Sequence, residues 1–173
     1  MKLSIIIPVY NEERTVAKII DAVEKIKLPN VSKEVIVVDD GSSDKTVSEV
    51  DKNKVKLFIH PQNKGKGAAV RTGIENATGD YIIIQDADLE YDPKYIPILL
   101  EPILKGEARV VYGTRLKRLP HIHQEEKKLR FLLHYAGNRF LSLVTSILYG
   151  SWITDMETCY KLFPSSALKG VKL

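Results

Sequence analysis

Four segments of the chain carry short, near-continuous apolar runs, Leu3–Val9, Glu34–Val38, Val55–Ile59 and Tyr81–Ile84, and a fifth runs from Arg109 to Tyr112. Runs of this length, rich in β-branched residues, predict strands buried on both faces of a sheet. Between them the apolar positions recur at helical spacing, from about Glu12 to Ile26, Lys45 to Asp51, Lys66 to Ala77 and Pro93 to Leu104. Alternation of strand and helix predicts an α/β fold built on a mostly parallel sheet with helices on its faces. Asn11 is expected to cap the first helix, ahead of Glu12 and Glu13, and Asp92 the fourth, ahead of Pro93. Pro97 and Pro102 predict an irregular fourth helix.

From Glu125 to about Tyr149 a longer helical pattern sets Arg130, His134, Asn138 and Ser142 at four-residue steps among apolar residues such as Phe131, Leu132, Phe140, Leu141, Val144 and Leu148. Its uninterrupted apolar runs fall far short of the roughly 18 to 20 residues that span a bilayer. The pattern is read first as core packing and second as a helix lying in a membrane interface. With no repeat, low-complexity tract or Gly/Ser linker, residues 1–173 are expected to form a single domain.

Composition narrows the setting. The 44% hydrophobic content suits a globular chain with a sizeable core, and the single Cys159 excludes an internal disulfide and a four-cysteine zinc site. Cys159 itself is expected to be a semi-buried core thiol. The N-terminal apolar run is short, broken by Pro8 and followed by acidic residues, so no secretory leader is expected and the chain is read as cytoplasmic. The formal charge is +4, but residues 105–139 hold nine Lys or Arg against three Glu, a local +6 that leaves −2 for the remainder. That basic region suits phosphorylated ligands, an anionic membrane surface or nucleic acid, and composition alone leaves the three open.

The candidate chemistry gathers where strands end. Loops at the carboxyl ends of parallel strands converge on a crevice, and here those loops carry Pro8-Val9-Tyr10-Asn11-Glu12, Asp39-Asp40-Gly41-Ser42-Ser43-Asp44 and Gln85-Asp86-Ala87-Asp88-Leu89-Glu90. Carboxylates crowded together repel unless a cation or hydrogen-bond donors neutralise them. Mg²⁺ or Mn²⁺ meets that need, because either ion takes hard oxygen ligands and shares them with phosphate and water. Asp86-Ala87-Asp88 alone reads as a solvated turn, and its place after a buried strand turns the reading toward a site. Asn63-Lys64-Gly65-Lys66-Gly67, ahead of a helix, offers either backbone donors to phosphate or a plain helix lead-in.

Together "IIIPVYNEE", "VIVVDDGSSDKT", "NKGKGAAVRTGIENATGDYIIIQDADLEYDP", "VVYGTR" and "TDMETCYKLF" resemble the family 2 glycosyltransferases, in particular the dolichol-phosphate mannose synthase and polyprenyl-phosphate glycosyltransferase branch. The likeness spans almost the whole chain. It implies a GT-A fold, a nucleotide-diphosphate sugar donor such as GDP-mannose or UDP-glucose, a divalent ion and a polyprenyl phosphate acceptor. Pro8, Tyr10, Glu12, Val38, Asp39 and Asp40 would then cradle base and ribose. Asp86, Ala87 and Asp88 would meet ribose, diphosphate and metal, with Glu90 where related synthases often carry a glutamine metal ligand. Arg115 and Arg130 resemble the family's arginines that face donor or acceptor phosphates, a role suited to the guanidinium fork.

The reaction so implied is an inverting hexosyl transfer, with peripheral contact at the cytoplasmic membrane face and no nucleic acid. A phosphate acceptor needs no base; a sugar hydroxyl acceptor would, and Asp155 is then the candidate. The alternative of another class is a noncatalytic nucleotide-sugar-binding module. Members of the family continue past the segment matching Tyr160-Lys161-Leu162-Phe163, so the resemblance also implies a chain shortened on that side, by truncation or by nature.

Overall fold

β1 (Lys2–Val9) is buried from Leu3 to Val9, and the rest of a six-stranded sheet is laid out from it. This computed structural model describes residues 1–114, 125–156 and 158–168, and within the long helix it describes side chains from residue 135 onward. The strands are β1, β2 (Ser32–Asp39), β3 (Lys56–Ile59), β4 (Tyr81–Ile84), β5 (Val111–Tyr112) and β6 (Lys161–Pro164), in the spatial order β3-β2-β1-β4-β6-β5. β1 pairs in parallel with β2, from Lys2↔Ser32 to Val9↔Asp39, and with β4, from Leu3↔Tyr81 to Ile6↔Ile84. β3 continues the parallel ladder beyond β2, whereas β6 runs antiparallel to β4, with Tyr81 opposite Pro164.

The helices cover the faces as their apolar spacing requires. α1 (Val16–Lys25) buries Val16, Ile19, Ile20 and Val23, the i, i+3, i+4, i+7 stripe of an amphipathic helix. α3 (Ile96–Leu104) buries Ile96, Leu99, Leu100 and Ile103, and both helices share one core with Ile5, Ile7 and Val9 of β1. Each such fully buried side chain contributes roughly 1.5–3 kcal/mol relative to exposure. α2 (Lys66–Glu75) lies over Ile36 and Val38, where a Cβ on Gly73 would come 2.4 Å from Ile6 Cγ2. Close helix-to-sheet approach is therefore the reason for glycine there. Ser4, fully buried in β1, donates to Glu34 Oε1 at 2.6 Å and accepts from the Gly79 amide at 2.9 Å.

Several sequence expectations shift. The first helix begins at Val16, not Glu12, and Asn11 does not cap it. Instead Asn11 sits at φ +55° with its amide on Ser42 Oγ and its side-chain oxygen accepting from the Ser43 amide, so this stretch is tied to the loop after β2. The expected helix near Lys45–Asp51 is a 3-10 turn, Thr46–Glu49, and the fifth strand shrinks to Val111–Tyr112. Asp92 does act as a cap, accepting from the Lys94 amide at 3.0 Å ahead of Pro93.

The chain divides into two compact units, Met1–Val111 with the segment from Cys159 onward, and Tyr112–Thr158. The second unit contains α4 (Glu125–Tyr149), and here the core-packing expectation is reversed for the residues that are described. The polar Asn138 and Ser142 are buried, while Phe140, Leu141 and Leu148 are exposed, Phe140 by 64%. Asn138 Nδ2 donates to Asp155 Oδ1 at 2.7 Å and Ser142 Oγ accepts from the Met156 amide at 3.0 Å, so the polar stripe anchors the segment after the helix. Buried polar groups require such partners. Phe131, Leu132 and His134 lie outside the described side chains. Among the described residues no helix is long and apolar enough to cross a membrane.

Candidate active site

Strand order reverses at β1: the chain proceeds from β1 outward to β2 and β3, then returns through α2 to place β4 on β1's other side. In doubly wound sheets ligands bind outside the carboxyl ends of the strands at this switch point. An open cleft of about 250 Å³ lies there, lined from β1 by Pro8, Val9, Tyr10 and Glu12 and from β4 by Asp86, Ala87 and Asp88. Asp40, Asn63, Lys66 and Ala69 complete it. Tyr10 is 47% exposed, a flat aromatic face at the cleft. Glu12 accepts at its side chain from Thr15 Oγ1 and donates its amide to Thr46 Oγ1 at 2.7 Å.

The carboxylates after β2 are internally occupied. Asp39, 1% exposed, accepts from the amide and hydroxyl of Ser42. Asp40, 2% exposed, accepts from the Lys64 amide at 3.0 Å, the Gly65 amide at 2.7 Å and His60 Nδ1 at 2.6 Å. Burial works against the Asp40 charge, and the His60 and amide hydrogen bonds overcome it, holding the carboxyl below its ordinary range. The Lys64 and Gly65 amides, candidates for phosphate, are therefore turned to Asp40. Gly41 makes this approach feasible: at φ +75°, a Cβ there would meet Gln62 C at 2.6 Å and Asn63 N at 2.7 Å. Val38 is fully buried in the sheet, and neither it nor Asp39 lines the cleft.

After β4 the pattern differs. Asp86 is 8% exposed, yet its Oδ1 accepts no hydrogen bond. The Lys66 ammonium stands 2.6 Å from that oxygen as an ion pair without hydrogen-bond geometry. Burial disfavours the Lys66 charge, but the Asp86 carboxylate outweighs it and raises the ammonium's pKa. Asp88 is exposed and accepts the Glu90 amide at 3.0 Å, and the Glu90 side chain does not line the cleft. Leu89, between them, adopts φ +64°, a left-handed conformation that costs about 1–3 kcal/mol in a non-glycine residue.

That strained turn is held by Gln85 and Tyr160, to neither of which sequence reasoning assigned a role. Gln85, fully buried, donates Nε2 to the carbonyls of Asp86 and Tyr91 at 3.0 and 2.9 Å, and accepts from Tyr160 Oη at 2.8 Å. Burial pushes the Tyr160 phenol above its ordinary value, so it remains a donor. Tyr91 and Tyr160 meet edge to face at 4.9 Å, and Tyr91 Oη accepts from the Cys159 amide at 3.3 Å. A fully apolar strand ending in an amide residue was the available signal. Cys159 is half-buried as expected, and burial raises its thiol.

The model of Glycosyl transferase family 2 matches residues 4–169. The chain belongs to that family. It is 32% identical over 185 aligned residues to the UDP-N-acetylglucosamine–dolichyl-phosphate N-acetylglucosaminyltransferase of Methanococcus voltae, covering 95% of this chain and 70% of that one. It is 34% identical to the dolichol-phosphate mannosyltransferase of Pyrococcus furiosus, covering 69% of this chain and 36% of that one. The dodecaprenyl-phosphate galacturonate synthase of Rhizobium johnstonii is 28% identical, over all of this chain and 51% of its own length. Among solved structures, glucosyl-3-phosphoglycerate synthase from Mycobacterium tuberculosis with Mn²⁺, UDP and phosphoglyceric acid superposes with a TM-score of 0.72 at 21% identity, covering 98% of this chain and 58% of that one. The fold is GT-A, as the family motifs implied.

Asp86 and Asp88 form a donor set that suits a divalent ion, one a buried carboxylate paired with the Lys66 ammonium, the other an exposed carboxylate on the same cleft. No group of three His, Cys, Asp or Glu side chains gathers as a metal site among the described residues, so Glu90 does not join the two aspartates here. An ion that draws its remaining ligands from phosphate and water is compatible with two carboxylates. Asp155 belongs to the other unit, 1% exposed and bonded to Asn138. Arg115 lies outside the described residues, as does the side chain of Arg130.

Proposed function

We propose that the protein transfers a hexose from a nucleotide-diphosphate sugar to a polyprenyl phosphate at a membrane surface, with inversion at the anomeric carbon. The observation that carries this reading is the pair Asp86 and Asp88 on one switch-point cleft, Asp86 buried with the Lys66 ammonium 2.6 Å from its Oδ1 and Asp88 exposed. Relatives whose names specify dolichyl or dodecaprenyl phosphate support the acceptor class.

In this reading Tyr10 and Pro8 receive the base, Glu12 the ribose, and the Asp86-Ala87-Asp88 turn the diphosphate side of the donor. Asp86 and Asp88 would hold Mg²⁺ or Mn²⁺, which when bound supplies charge neutralisation for a departing diphosphate. Lys66, fixed as an ammonium, adds a second positive charge to the same wall. The acceptor phosphate is already ionised near neutral pH and attacks without a dedicated base. Asp155 is then a strut of its own segment, and Arg115 and Arg130 are assigned to donor or acceptor phosphates from the sequence motifs alone. Hexose and base identity, mannose with GDP or glucose with UDP, remain part of the proposal.

The test is transfer by the purified protein with Mn²⁺, a short polyprenyl phosphate and GDP-mannose, UDP-glucose or UDP-N-acetylglucosamine supplied in parallel. A polyprenyl-phosphate sugar of inverted configuration is the expected product. Turnover with a free sugar acceptor only would overturn the acceptor class.

A further inference from the structure

His60 and Asp40 form a buried pair on which no step of the transfer draws. His60 follows β3 and is 9% exposed; its amide donates to the Asp39 carbonyl at 2.8 Å, so its backbone extends the β2–β3 ladder. Its ring bridges two elements, with Nδ1 2.6 Å from Asp40 Oδ1 and Nε2 2.9 Å from Thr72 Oγ1 on α2. An ionised carboxylate only accepts, so Nδ1 carries a proton toward Asp40. Asp40 in turn receives the amides of Lys64 and Gly65. The next residue is Lys66, whose ammonium reaches Asp86 across the cleft that Asp40, Asn63 and Lys66 all line.

We propose that His60 is a positioning residue: by clamping Asp40 it fixes the Asn63–Lys66 wall of the cleft in its ligand-ready form before a nucleoside diphosphate arrives. The proposal rests on the reading of this cleft as the donor site. A carboxylate free to rotate would leave two loop amides unpaired or paired in another register, and an unset wall binds at the expense of ordering it. The two ring nitrogens have different tasks, and this separates positioning from space-filling. Asparagine at 60 places its Nδ2 near the position of Nδ1 and retains the donor to Asp40. Glutamine places its Nε2 near the far nitrogen and retains only the reach to Thr72.

The experiment compares wild type, His60→Ala, His60→Asn and His60→Gln by amide hydrogen exchange at Lys64 and Gly65, and by calorimetric titration of UDP and GDP with Mn²⁺. Protection of the two amides should fall by about tenfold in His60→Ala and His60→Gln and recover in His60→Asn. Nucleotide affinity should follow the same order, about tenfold weaker in the first two, the usual scale for loss of an outer-shell partner. In the transfer assay KM for the donor should rise with kcat changing far less. If His60→Ala does not fold, the Asn and Gln pair decides alone. Unchanged amide protection, equal behaviour of Asn and Gln, or weakened protection without weakened nucleotide binding overturns the proposal. If protection behaves as expected while wild type binds neither nucleotide, the clamp stands and the donor-site reading fails.

Discussion

β2 and β4 flank β1 on opposite sides, and each ends in two aspartates, yet the two pairs have opposite hydrogen-bond accounts. Asp39 and Asp40 are buried and receive donors from Ser42, His60, Lys64 and Gly65. Asp86 is almost as buried, but its Oδ1 has no hydrogen bond and one ammonium nearby; Asp88 is exposed. A single ammonium leaves a buried carboxylate with acceptor capacity that the three donors around Asp40 use up. Such spare capacity on a cleft wall is what a bound cation can use. The comparison teaches that acidity at a strand end marks a place, and the donors around it decide between scaffold and site.

The sharpest break is Asp88→Ala. Transfer should drop by about 10²–10³-fold, the scale of losing one electrostatic contact to developing charge. The melting transition should stay within about 0.5 kcal/mol of wild type, as for an exposed side chain. Undiminished turnover would remove Asp88 from the site. Next comes Asp40→Ala, which strands two loop amides and His60 and should cost about 2–4 kcal/mol in urea unfolding. A loss below 1 kcal/mol would mean that the β2 pair is no scaffold.

Acid titration sharpens the same contrast. Asp40 has a lowered carboxyl in the folded state, as has Glu34, where hydrogen bonds from Lys56, Ser4, Thr78 and Lys2 overcome burial. The unfolded chain therefore binds more protons in acid. Stability from these groups is complete above their ordinary values of 3.8 and 4.5 and is lost as pH falls through the lower folded values. Stability measured by urea unfolding should decline below about pH 4.5, and Asp40→Asn should flatten that decline. An unchanged slope contradicts the assignment. The smallest effect is Ser42→Ala, about 0.5–1.5 kcal/mol, because the Ser42 amide still serves Asp39 and water can serve the exposed Asn11 amide after the hydroxyl is gone.

Much of this layout was legible in the chain. The parallel strands announced themselves because both faces are buried, which forces unbroken apolar runs such as Ile5-Ile6-Ile7. The placement of Pro8, Tyr10, Glu12, Asp86, Ala87 and Asp88 at one mouth followed from strand ends. What was illegible depends on contacts between distant segments. β6 is four residues with no periodic signal, and its antiparallel pairing is set by Tyr81 meeting Pro164. The hydrogen bonds that hold Asp40 were not legible because its donors sit 20 to 25 positions away, in His60, Lys64 and Gly65. The start of α1 moved because Asn11 and Glu13 bond the loop after β2, which local propensity does not report. In α4 the buried stripe is the polar one, since Asn138 and Ser142 have partners in Asp155 and Met156.

In the proposed function the β4 aspartates, unlike the β2 pair, receive a cation and diphosphate. The most direct measurement is the anomalous manganese signal from crystals soaked in Mn²⁺ with intact nucleotide sugar. A peak in contact with Asp88 and the donor diphosphate, with none at Asp39 or Asp40, is the predicted result. A peak at the β2 pair, or a donor seated elsewhere with Asp86 and Asp88 bare, would contradict it.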